Sequence, residues 1–197
     1  MSPFEFFFSF YGLLLALSVA VVAAGAVKAL KTRPWRTIGV LTPLLATFVL
    51  MDIATFWSWA WDSMRTLPFS FGLLLVGMAI ALIYFFAASF VFPEDNEEWA
   101  SLDEHYQARK RYVLLGAMTS NTVMIAAAFL LTGTSPLAPA GLAAAVFYVF
   151  YVATLSVCLF LRNRWVNALM LGLNIVLFLF VAVATFNVET PALGGGG

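Results

Sequence analysis

Ionisable side chains are scarce in this sequence. Ten basic and ten acidic residues account for 10% of 197 positions, and they cancel to a formal net charge of zero. Soluble domains carry roughly 25% charged residues, so the chain falls outside that class. Without an excess of positive charge, there is no reason to expect a nucleic-acid partner. Cysteine occurs once, at Cys158 inside an apolar run, which rules out both a disulfide framework and a CxxC redox pair. Histidine also occurs once, at His105, which excludes bis-histidine haem ligation and any multi-histidine metal site within the chain. The HExxH and GxSxG signatures and the glycine loops of Walker and Rossmann sites are missing too. Neither an enzyme activity, nor a cofactor, nor a bound metal is expected.

What the chain has instead is apolar length. Hydrophobic residues make up 63% of it, and mean hydropathy is +0.96. Six segments are long enough to cross about 30 Å of hydrocarbon at 1.5 Å per residue. They lie near residues 6–28, 37–61, 68–92, 111–132, 139–161 and 165–187. The expected fold is all-α: a polytopic bundle of six transmembrane helices forming one domain over residues 1–193. Residues 194–197 read as a glycine tail or linker.

Basic residues orient this bundle. Lys28, Lys31, Arg33 and Arg36 lie in the first connection, Arg109, Lys110 and Arg111 in the third, and Arg162 and Arg164 in the fifth. Only Arg65 lies in the second, and the fourth, TGTSPLAPAG, has none. The positive-inside rule makes the first group cytoplasmic and sets both termini outside. The basic residues follow the first apolar run rather than preceding it, which suits a retained helix and not a cleaved signal peptide.

Within the segments, small residues recur every fourth position at Gly12, Ala16, Ala20 and Ala24, a pattern that lets helices approach closely. Pro43 falls about one turn inside the second segment and is expected to kink it. Phe56, Trp57, Trp59 and Trp61 read as an interfacial aromatic belt, or as rings that stack on a ligand. The third segment has few polar groups and reads as scaffold. Ser101 and Glu104 form an S-x-x-E capping box, so a helix begins near Leu102 and runs into the fourth span. Leu102, Tyr106 and Arg109 share one face, as in a short amphipathic helix at the cytoplasmic surface, with His105 expected in water or at the interface.

One residue breaks the apolar pattern. Asp52 sits near the middle of the second segment, where a carboxylate costs about 2.5–3.5 kcal/mol on insertion scales and normally faces a partner, a cavity or a pathway. A proton on it lowers that cost. Thr55, one turn away, falls on the same face and is placed to donate a hydrogen bond. Asp52 lies about 5 Å to the outer side of its segment's centre, and Asn121 and Asn174 at or slightly inside the centres of theirs, depths that permit one shared cavity. Asparagines in membrane helices commonly bond a neighbouring helix; the sharper alternative is that Asp52, Thr55, Asn121 and Asn174 line one polar interior. Asn167, seven residues before Asn174, shares nearly the same helix face.

The stretches SPFEFFFSFYGLLLALSVAVV and YFFAASFVFPEDNEEWASLDEHYQARKRY resemble a group of six-helix bacterial inner-membrane proteins with no activity attached to them. The resemblance implies a multi-pass protein of the bacterial inner membrane and nothing about chemistry. From the residues, the expected function is a small carrier or channel-like protein for a proton, cation or small solute, centred on Asp52. The alternative is a non-catalytic accessory or assembly subunit of a larger membrane complex. Partners expected are the lipid bilayer and a homo-oligomer or larger membrane complex.

Overall fold

Gly39 divides what reads as one long apolar segment. Its φ of 68° lies in the region that favours glycine, and a Cβ there would collide with the Asp103 carboxylate. The computed structural model describes residues 3–64, 70–94, 98–132 and 139–186. Arg65, most of the fourth connection and the glycine tail lie outside these residues. Among the described residues there are seven helices and no strand. They are α1 (Pro3–Thr32), α2 (Trp35–Ile38), α3 (Leu41–Met64), α4 (Phe71–Ser89), α5 (Leu102–Thr132), α6 (Pro139–Phe160) and α7 (Arg164–Phe186). The second expected span therefore begins at Leu41 rather than residue 37. This places Pro43 in the first turn of α3, where a backbone N–H has no intrahelical acceptor in any case, so proline disturbs nothing there.

Five stretches among the described residues are long and apolar enough to cross a membrane: Phe8–Thr32, Leu41–Trp61, Phe71–Ser89, Gly141–Phe160 and Arg164–Ala184. Helix α5, which contains the expected fourth span, is not one of them. It opens with charged turns and carries Thr119, Ser120, Asn121 and Thr122 midway. Leu13, Phe71, Leu130, Val149 and Phe180 stand exposed along the outer faces, as befits a protein embedded in a membrane.

The helices pack in the cyclic order α1, α4, α5, α6, α7, α3 and back to α1, and α3 also meets α5 across the middle. Helix α1 turns Phe8, Tyr11, Leu15, Ser18 and Val22 inward, the 3–4 spacing of a buried stripe. Gly12 belongs to this seam because the Trp57 ring occupies the space a Cβ would need. Ala16, Ala20 and Ala24 do not: they lie on the exposed face of α1. Gly116 lets α5 approach α4, where a Cβ would stand 2.6 Å from the Ala87 methyl.

One end of the bundle gathers the basic connections. Ser101 caps α5 by accepting from the Glu104 N–H at 3.2 Å, and the Glu104 carboxylate accepts from the Ala100 N–H at 3.1 Å, so the helix starts where the capping box places it. Asp103 bridges elements: one oxygen accepts from the Val40 and Leu41 N–H groups at 3.0 and 2.9 Å, capping α3 from another helix, and the other meets Arg164 at 3.3 Å. Arg33 donates to the Trp99 carbonyl at 3.0 Å. Lys110 is buried and donates to the Leu161 carbonyl at 2.6 Å and to Asn167 Oδ1 at 3.2 Å. Tyr106 donates to the same Asn167 oxygen at 2.7 Å.

These contacts change the reading of residues 102–109. Instead of a short helix on the surface, they form the first turns of the continuous α5, with Leu102 buried beside Ala29 of α1 and Ile38 of α2, and Tyr106 buried and bonded to Asn167 of α7. His105 is buried at 4% exposure rather than solvated. Its Nε2 lies 3.1 Å from the Phe90 carbonyl, and its ring meets Trp99 edge-on at 5.2 Å. Burial is the largest influence holding its pKa below the ordinary imidazole value.

Candidate functional site

Four helices converge on Asp52. Helix α3 carries the carboxyl, α4 brings Tyr84, α5 brings Asn121 and α6 brings Tyr151. Asp52 is 2% exposed. Tyr84 donates its phenolic proton to Oδ2 at 2.9 Å. Asn121 presents Nδ2 to both carboxyl oxygens, at 3.2 and 3.3 Å. Tyr151 adjoins the same group, its phenolic oxygen 3.2 Å from Asn121 Nδ2.

The amide of Asn121 is over-subscribed. Besides Asp52, its Nδ2 lies 2.9 Å from the Tyr84 oxygen, 3.2 Å from the Tyr151 oxygen and 3.0 Å from the Ala117 carbonyl. An NH2 group has two hydrogens, so these acceptors compete for them and the phenol protons must orient to suit. The result is a cluster that solvates a carboxyl with neutral dipoles alone. Among the described residues Asp52 forms no salt bridge. Burying a charge this way is costly unless something balances it.

A cavity of about 280 Å³ opens from this cluster. Asp52, Asn121 and Tyr151 lie at one extreme of its lining. The rest follows each helix away from the basic end: Thr55, Phe56 and Trp59 on α3, Met124 and Ile125 on α5, Tyr148, Phe147 and Ala144 on α6, and Phe178 and Val181 on α7. Seven residues separate Asp52 from Trp59, which makes the cavity about 10 Å long. Its walls are apolar and largely aromatic, with polar groups concentrated at the floor, the usual composition of a small-molecule pocket.

Of the four residues singled out from the sequence, Asp52, Thr55 and Asn121 share this cavity. Thr55 lines the wall; the hydrogen bonds to the carboxyl come from Tyr84 and Asn121 instead. Asn174 is elsewhere. It donates to Thr154 Oγ1 and to the Met170 carbonyl, both at 2.8 Å, at the α6–α7 seam, because its face of α7 turns toward α6 below the cavity. Asn167 likewise belongs to the basic end, donating to the Leu161 and Asn163 carbonyls.

Sequence reasoning passed over Tyr84 and Tyr151. The signal was a phenol in mid-span, since a buried tyrosine hydroxyl needs a partner, but the third segment otherwise looked like scaffold. The rings of Phe56, Trp57 and Trp59 also have partners inside the bundle. Phe56 is buried against Tyr84 with ring centroids 5.2 Å apart, Trp57 stacks on Tyr11 at 5.8 Å, and Trp59 faces the cavity. Among the described residues no group of three or more histidine, cysteine or carboxylate side chains is placed to hold a metal ion. In comparisons with known proteins, no family model, curated protein or solved structure matches this chain, and the chemistry of the site is read from its own residues.

Proposed function

We propose that this is a small membrane carrier or channel-like protein for a proton, cation or small solute, with Asp52 as its ionisable centre. Tyr84 and Asn121 hold the carboxyl, Tyr151 braces the Asn121 amide, and Thr55 lines the route to Asp52. In this reading residues 111–132 of α5 make a sixth span. The basic ends of α1, α5 and α7 lie in the cytoplasm, and both termini lie outside.

One observation carries the proposal. The Asp52 carboxyl has no basic partner among the described residues, yet it forms the floor of a cavity. A negative charge so placed is balanced by something that arrives and leaves, of which a proton is the smallest example. A structural carboxyl would be expected to pair with a lysine or arginine, or to face a sealed, filled interior. Reconstitution tests this directly. Proteoliposomes containing the full chain, loaded with a pH-sensitive dye and given a pH gradient, are expected to equilibrate protons, and the Asp52→Asn variant is expected to lose that flux. Equal flux through the variant refutes the mechanism.

A further inference from the structure

The cavity above Asp52 selects more narrowly than charge alone requires. We propose that its ligand is a small organic ammonium ion: one positively charged nitrogen on an apolar body about the size of a single ring. This rests on the reading of Asp52 as the ionisable centre and adds the class of molecule it meets.

Sign comes first. A carboxylate without a basic partner, at the base of a low-dielectric cavity, repels anions and gives a neutral solute little advantage. Among cations, a bare metal ion is poorly served. Calcium takes six to eight oxygen ligands and magnesium near-ideal octahedral geometry, whereas this floor offers one carboxyl, hydroxyls and an amide that turns its NH2 inward. Such an ion would lose more hydration than the site returns.

The walls supply what an ammonium ion with an apolar body needs. Phe56, Trp59, Phe147, Tyr148 and Phe178 surround the path to Asp52. Aromatic faces attract cations while also burying hydrocarbon, and quaternary ammonium groups are commonly recognised in this way. The rings are held in place from behind: Phe178 packs on Phe48 at 6.0 Å and on Phe147 at 6.3 Å, and Tyr151 stacks on Phe48 at 6.1 Å. Volume sets the size. About 280 Å³ falls just below the range of drug-sized pockets, about 300–1,000 Å³, and so suits a body of a single ring. A proton and the ammonium ion compete for one carboxylate, so binding of the ion to the protonated site releases that proton to solvent.

Calorimetric titration of the purified full chain in mild detergent tests this, with benzyltrimethylammonium, which is charged at every pH, as the probe. Benzyl alcohol and benzoate serve as neutral and anionic controls. The expected result is binding at least tenfold tighter than benzyl alcohol, no detectable benzoate binding, and affinity that weakens as pH is lowered. Asp52→Asn is expected to remove the preference for the cation, and Phe147→Ala to weaken binding while the protein stays folded. Benzyl alcohol binding as tightly as the cation overturns the proposal, as does an affinity independent of pH; both are read on the unmodified chain, whatever the variants do. Proton flux in proteoliposomes without ammonium binding overturns the organic ligand and leaves Asp52 as the ionisable centre. Ammonium binding without any flux supports the ligand and overturns the transport reading.

Discussion

Tyr84 donates to Asp52 at 2.9 Å although α4 and α3 share no extended seam. The phenol reaches the carboxyl because α1 and α5 flank α4 and turn its buried face, Leu73, Ile80, Tyr84 and Ala87, toward the centre of the bundle. This contact draws the third span into the site. Tyr84→Phe removes a donor to a carboxyl and is expected to cost about 1.5–3 kcal/mol, the range for a hydrogen bond to a charged group. Combined with Asp52→Leu in a double-mutant cycle, the two changes should be non-additive by about 0.5–3 kcal/mol. Unfolding in detergent measures it; additive losses would show that the pair does not interact.

Asp103 joins three helices at the basic end. Its bonds to the Val40 and Leu41 N–H groups cap α3, while its contact with Arg164 is half-exposed on the arginine side and adds little. Asp103→Ala is therefore expected to destabilise by about 0.5–2 kcal/mol, the range for a lost N-cap. Asp103→Asn keeps an acceptor oxygen and should cost less. Equal losses in the two variants, measured by thermal unfolding, would assign the effect to charge rather than capping.

His105 makes stability depend on pH. Burial lowers its folded-state pKa; the Phe90 carbonyl opposes that shift, Arg109 and Arg33 reinforce it, and Glu98 opposes it. The unfolded chain, with an ordinary value of about 6.5, binds a proton before the folded one does. Unfolded molecules thus hold more protons in that window, so stability is full above about pH 6.5 and falls as pH drops toward the folded pKa. His105→Gln is expected to flatten this acid-side decline in melting temperature. An unchanged decline would assign it to the carboxylates.

Two glycines should respond oppositely to alanine. At Gly116 a methyl meets the Ala87 methyl at 2.6 Å, and overpacking of this kind costs about 1–3 kcal/mol. At Gly172 nothing lies within 4 Å, so alanine should gain most of the roughly 1 kcal/mol by which it outranks glycine in helices. Melting temperatures of the two variants should move in opposite directions. A shift of the same sign would mean that the α4–α5 seam is loose.

Composition and periodicity by themselves decided that this chain is helical and rich in apolar spans, that α5 begins at Leu102, and that Asp52 is the residue to explain. These follow from local physics: apolar run length, the Ser101–Glu104 cap and the cost of a mid-membrane carboxyl. Asn121 was reachable too, because depth along a helix axis is countable from sequence. Rotation about that axis is not. Which face of α7 carries Asn174 away from Asp52, which face of α4 carries Tyr84 toward it, and why Trp59 lines a cavity while Trp57 covers Gly12 all depend on which helices are neighbours. The same holds for His105 and Lys110, charged or polar by composition yet sealed by helices distant in sequence. Packing of one helix against another sets that rotation, and it is a property of pairs of surfaces, which no single stretch of chain contains.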